Sequence, residues 1–115
     1  MSTEITWEDL EARLQGCMFL IGLTFVDENE AVIEQYQTSG RFKEFDDVLM
    51  RLEREDGSIY QVPYDPDTIA YAEPGEYRER STGRIIVDPD FIIRWTINIT
   101  KPEAIAEIKQ HGFLA

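Results

Sequence analysis

Apolar residues recur with period two through most of this chain and with a helical period only at its two ends. Trp7, Leu10 and Leu14 stand at i, i+3 and i+7, one face of a helix. Thr6 is its expected N-cap, with Glu8 and Asp9 in the first turn and Gly16 where a C-terminal cap would sit. From Cys17 to Val26, Phe19, Ile21, Leu23 and Phe25 alternate with Met18, Leu20, Gly22, Thr24 and Val26. Both sets are largely apolar, which predicts a central strand covered on both faces.

Asp27-Glu28-Asn29-Glu30 supplies a turn, and Ala31 to Gln37 reads as the return strand, broken by Ser39-Gly40. Val48, Met50 and Leu52 then alternate with Leu49, Arg51 and Glu53 within Phe42 to Glu55. Glu55-Asp56-Gly57-Ser58 makes a tight turn, because glycine accepts the positive φ of a hairpin loop, and Ile59 to Tyr64 pairs back. Asp65 to Gly75, with Pro66 and Pro74, is the expected irregular stretch. Glu76–Arg80 and Arg84–Val87 flank Ser81-Thr82-Gly83 as a short hairpin. Phe91 to Ile99 follows as a strand with Phe91, Ile93, Trp95, Ile97 and Ile99 on one face. A last helix is expected to start with Thr100 as cap and Pro102 in its first turn, and to stop before Gly112.

These elements predict an α+β, mostly β fold in one domain, 1–115. Six or seven strands linked by short turns form an antiparallel meander, curled into a small barrel or a strongly twisted sheet, with a helix at each end. No helical crossovers separate the strands, so a parallel doubly wound architecture is disfavoured.

Charge changes the picture of partners rather than of fold. The 115 residues carry 23 acidic against 11 basic side chains, a formal charge of -12, so the molecule repels polyanions and attracts cations. A basic protein is the expected partner and nucleic acid is not. No apolar run approaches the roughly 18 residues that span a bilayer, and Met1 to Thr6 do not resemble a secretory signal. The expected location is cytoplasmic, and the expected state a monomer or small homo-oligomer.

Reactive side chains are sparse. There is one cysteine and one histidine, Cys17 in an apolar run and His111 at the end of the last helix, which read as a structural thiol and a helix-terminal imidazole. Asp65-Pro66-Asp67 echoes Asp88-Pro89-Asp90, and proline between two carboxylates suits an Asp-Pro turn better than a calcium loop, which needs six to eight oxygens. No phosphate-cradling glycine loop, paired-cysteine motif or nucleophile elbow is present, and no cofactor or metal is expected. Arg78, Arg80 and Arg84 interleave with Glu76 and Glu79, a pattern of salt bridges on a solvated hairpin.

The stretch FDDVLMRLEREDG, after a helix and bent strands, resembles the central strand of the Sm-like RNA-binding barrels over residues 7 to 62. The match is alternation plus one aspartate, Asp46 or Asp47. Val48-Leu49 stands where that family has Met-Asn, so the resemblance implies shared barrel geometry and no binding residue.

The expected function is therefore a non-catalytic acidic interaction module. Bacterial immunity proteins and antitoxins offer the compositional analogy. Asp65, Asp67, Asp88 and Asp90 would supply the field, and Tyr64, Tyr71 and Tyr77 the contact anchors. Two alternatives stand beside it. One is a ligand-binding or carboxylate-dependent enzyme barrel, in which several of Glu34, Asp46, Asp47, Asp65, Asp67, Asp88 and Asp90 converge on a pocket. The other is an oligomeric Sm-like module that pairs through an exposed edge strand.

Overall fold

The computed structural model describes residues 7–46, 49–79 and 82–113. Helix α1 (Trp7–Leu14) leads into β1 (Met18–Val26) and β2 (Val32–Asp46). Strands β3 (Leu49–Glu53), β4 (Ile59–Pro63), β5 (Ile69–Tyr71), β6 (Glu76–Arg78), β7 (Ile85–Val87) and β8 (Phe91–Asn98) follow, and helix α2 (Glu103–His111) comes last. Thr6, Asp47, Val48, Arg80 and Ser81 lie outside the described residues, as do the expectations that rest on them.

Six strands form one sheet in the order β4-β3-β2-β1-β8-β5, and β6 and β7 form a separate hairpin. The expected meander holds from β1 to β4, each pair antiparallel. It fails at β8, which lies parallel to β1 from Phe19↔Phe91 to Val26↔Asn98. The sheet is thus mixed, and the order leaves β4 and β5 as its edges instead of closing a barrel. β1, apolar on both faces, needs two neighbours, and short turns can supply only β2. The second neighbour arrives from the far end of the sequence.

A second correction concerns Ser39-Gly40, which interrupts nothing: β2 runs 15 residues straight through it. Gly40 is there for closeness, since a Cβ would stand 3.0 Å from the Leu52 Cβ and 3.1 Å from the Glu53 carbonyl oxygen. Glycine lets β3 close on β2 at that point.

The core lies on one face of the sheet. Phe19, Ile21, Leu23 and Phe25 of β1 meet Phe42, Met50, Leu52, Tyr60, Val62 and Ile93, and both helices cover this face through Leu14 and Ile105. Trp95 packs partly buried against the same cluster, its ring 5.8 Å from Phe113. The α2 start is two residues later than expected: Pro102 is the N-cap, and Thr100 makes no cap. Gly112 ends the helix as anticipated, with φ 82°. Directly after it the Phe113 N–H donates to Gln61 O at 2.7 Å, pinning the tail to edge strand β4. On the opposite face, the β6–β7 hairpin shares a small cavity with Leu20, Gly22, Ile92 and Arg94, so it forms a partial second layer. No helix among the described residues is long and apolar enough to cross a membrane.

Candidate functional site

The free margin of β5 is where apolar surface, aromatic rings and carboxylates coincide. A groove of about 350 Å³ runs between α1 and β5, walled by Leu10, Leu14, Phe19, Ile69 and Phe91 with Tyr64, Pro66 and Tyr71 on its outer side. Three rings follow in series, Tyr71 5.3 Å from Phe91 and Phe91 5.0 Å from Phe19. The first of them is 86% exposed although its neighbours are core residues, so a row of rings leads from solvent into the interior. Tyr64 is held edge-on against Phe45 at 5.1 Å. Arg13 is the one cation on this lining.

Three of the sequence-predicted carboxylates accept from backbone N–H groups. Asp65 Oδ1 accepts from the Asp67 N–H at 3.0 Å, the turn chemistry anticipated for Asp-Pro, and caps the short 3-10 turn Pro66–Thr68. Asp65 and Asp67 therefore bracket Pro66 at the groove wall, with Asp67 exposed. Asp90, next to Phe91, accepts from the Met18 N–H at 2.7 Å through Oδ2. Asp88 adopts φ 48° and accepts from the Gly75 N–H at 2.8 Å, tying the base of the hairpin.

Of the seven sequence-predicted residues, Tyr64, Asp65, Asp67, Tyr71 and Asp90 gather at this end of the sheet. Tyr77 and Asp88 belong to the hairpin layer instead. Tyr77 donates from its hydroxyl to Glu73 O at 2.7 Å and lines the cavity under the hairpin.

A larger concavity, about 520 Å³, opens where β3 leaves β2, lined by Tyr36, Thr38, Ser39, Arg54, Glu55, Asp56, Glu79, Thr82, Arg84 and Lys109. None of the carboxylates picked out from the sequence lines it. Those that do are paired. Arg84 contacts Glu55 and stands 4.0 Å from Glu79, and it donates to Ser39 Oγ at 2.7 Å. Ser39 Oγ in turn donates to Glu79 at 3.1 Å. Hydrogen bonds from the Ser58 hydroxyl and then its backbone N–H hold the Asp56 carboxyl below its usual range.

Arg54 joins strand to helix. It donates to the Lys109 and Gln110 carbonyls at 3.2 and 2.6 Å and to Ser58 Oγ at 2.9 Å, while its guanidinium sits 4.8 Å over the Tyr60 ring. These carbonyls belong to the last turn of α2, whose partial negative charge favours a cation. Glu34, from the expected catalytic set, is paired with Lys109 at 2.6 Å. The hairpin arginines were expected to pair across their own loop. Arg84 does reach Glu79, but it also anchors the hairpin to the sheet, a role that hairpin spacing alone does not reveal.

Burial pushes the Cys17 thiol up, with Asp90 adding to the effect, so the protonated form is favoured at neutral pH. Its Sγ faces the Arg13 carbonyl at 3.8 Å. Among the described residues no three His, Cys, Asp or Glu side chains gather to hold a metal ion. Comparison of the chain with family models, curated proteins and solved structures gives no match.

Proposed function

We propose that this protein is a docking module whose α1–β5 groove receives a basic segment carrying an apolar or aromatic side chain. The observation that supports it most is the exposed Tyr71 ring, tilted 5.3 Å from the Phe91 ring at the mouth of the groove, with Asp65 and Asp67 flanking its Pro66 and Asp90 preceding its Phe91 in the chain. An aromatic anchor beside a desolvated slot is the arrangement that concentrates binding energy, and the surrounding carboxylates steer a cation toward it. At -12 the whole molecule contributes to that steering and disfavours nucleic acid. The site is a three-residue edge strand and a helix face, so an extended or helical segment fits it better than a small metabolite does.

The test is capture from the native source at low salt with three baits: the natural sequence, Tyr71→Ser, and the double variant Asp65→Asn with Asp67→Asn. The reading predicts a basic polypeptide that leaves as salt rises, is lost with Tyr71→Ser and elutes at lower salt from the double variant. Equal retention on all three baits contradicts it.

A further inference from the structure

We propose that the outer face of the sheet holds a small carboxylate with a short apolar tail, the carboxylate on Arg94 and the tail beneath the β6–β7 hairpin. Two hollows lie there. One, about 140 Å³, sits under the hairpin, where Leu20 and Ile92, opposed in register, close it with half-buried Tyr77. The other, about 330 Å³, is an open trough walled by Thr24, Thr96, Gln35, Gln37 and Arg94. Alternation sends the side chains of Leu23, Tyr36 and Trp95, also on its lining, to the core face, so the floor there is backbone. No residue of either hollow lines the α1–β5 groove.

The two hollows meet at Gly22. Gly22 and Arg94 line both, and they are partners in register on β1 and β8. A glycine midway along a central strand weakens it, because it packs no side chain against its neighbours. Nothing in the chain demands one here. Gly22 has no positive φ, and an added Cβ would meet only Arg94 Cγ, at 4.0 Å. What the missing side chain does is leave the passage between trough and cavity open, the setting in which a strand glycine admits a ligand.

Charge selects the head of the occupant. Arg94 and Arg78 are the cations on the cavity lining, and neither makes an ion pair among the described residues, in a chain with 23 acidic side chains to 11 basic. The described lining of the trough holds no carboxylate. The cavity lining holds Glu79, which is engaged: it accepts from Ser39 Oγ at 3.1 Å and stands 4.0 Å from Arg84 Nε. An unpaired guanidinium beside Thr24, Thr96 and exposed Gln35 offers converging donors to an oxyanion. Each further negative charge on the ligand works against the field of the whole molecule, so a single carboxylate fits where a phosphate dianion or a nucleic acid does not.

The cavity under the hairpin sets the tail. Its volume, about 140 Å³, is close to the roughly 150 Å³ that admits a benzene-sized guest, so about six apolar carbons fill it. Trough and cavity together reach the size of small-ligand sites, about 300 Å³ upward.

Titration of hexanoate up to about 10 mM into the isotopically labelled full chain, followed by amide NMR, tests the site, with acetate and hexanol as controls. Saturable shifts are expected at Leu20 to Thr24, Ile92 to Thr96 and Tyr77. Acetate lacks the tail and hexanol the charge, so each should bind at least about tenfold more weakly than hexanoate. Arg94→Gln should cut hexanoate affinity at least about tenfold and leave hexanol unchanged, whereas Gly22→Val should abolish the binding of both. Amide spectra that match the natural sequence away from the site show that the variants fold, and Arg94→Gln decides the matter if Gly22→Val does not. The absence of saturable shifts at the site, shifts centred on the α1–β5 groove, or hexanoate affinity unchanged in either folded variant overturns the proposal.

Discussion

Replacing Gly112 by alanine should cost far more than the same change at Gly57, although both glycines have positive φ, 82° and 87°. At Gly57 an added Cβ meets nothing within 4 Å. Its cost is then the backbone term alone, about 1 to 2 kcal/mol. Gly112 combines φ 82° with ψ -151°, a region that is essentially glycine's own and costs other residues about 1 to 3 kcal/mol. Its Cβ would also stand 2.7 Å from Gln61 N and 2.9 Å from Gln61 C, and closer still to the carbonyl oxygen. The tail must therefore lift from β4. That breaks the Phe113-to-Gln61 hydrogen bond, worth about 1 kcal/mol, and loosens the Phe113–Trp95 ring contact. Gly112→Ala should lose about 3 to 4 kcal/mol in urea unfolding with an unchanged slope, or roughly 12 °C or more in Tm. Gly57→Ala should lose no more than half of that. Equal losses at the two positions would refute the reasoning, because only backbone approach to β4 distinguishes them.

Other outcomes follow from the same packing. Trp95→Ala should destabilise by about 3 kcal/mol or more in urea; Trp95→Phe should cost at most about 1, because the buried indole Nε1 has no hydrogen-bond partner to lose. Tyr60 donates from its hydroxyl to Ile108 O at 2.6 Å, so Tyr60→Phe should cost about 1 to 2 kcal/mol and speed amide exchange in α2. Burial, with a smaller push from Tyr36, holds the Tyr60 phenol well above its ordinary value of 10.0. The unfolded chain therefore gives up this proton first as pH rises, so stability should fall from about pH 10 upward, and less steeply in Tyr60→Phe. Arg84→Met removes the cation beside Glu79, a side chain only 9% exposed, and should loosen the β6–β7 hairpin, seen as faster exchange there before the sheet is affected.

Local pattern made β1, β8, the Gly57 turn and the β6–β7 hairpin readable in advance, because each announces itself through alternation or a required backbone angle. What stayed hidden depends on distant neighbours. Ser39-Gly40 looks like a break until β3 is known to press against it, and then the same two residues are a packing solution. The parallel β1–β8 pairing joins positions about 70 residues apart, as in Phe19↔Phe91, and no turn signal encodes it. Asp65, Asp67, Tyr64 and Tyr71 were legible as a candidate set because turn chemistry concentrates them in one stretch. Leu10, Leu14 and Phe91, which complete the groove, read only as core. Arg54 gave no signal, since its acceptors are carbonyls at the end of a helix more than 50 residues later.

The groove is tested most directly by titrating the salt-eluted basic partner, or a fragment of it, onto the isotopically labelled protein and following every backbone amide by NMR. The account predicts that shifts concentrate at Leu10, Arg13, Leu14, Tyr64 to Tyr71 and Phe91, and that Tyr71→Ser abolishes them. Shifts centred on the β6–β7 hairpin or on α2, with the α1–β5 groove silent, would contradict it.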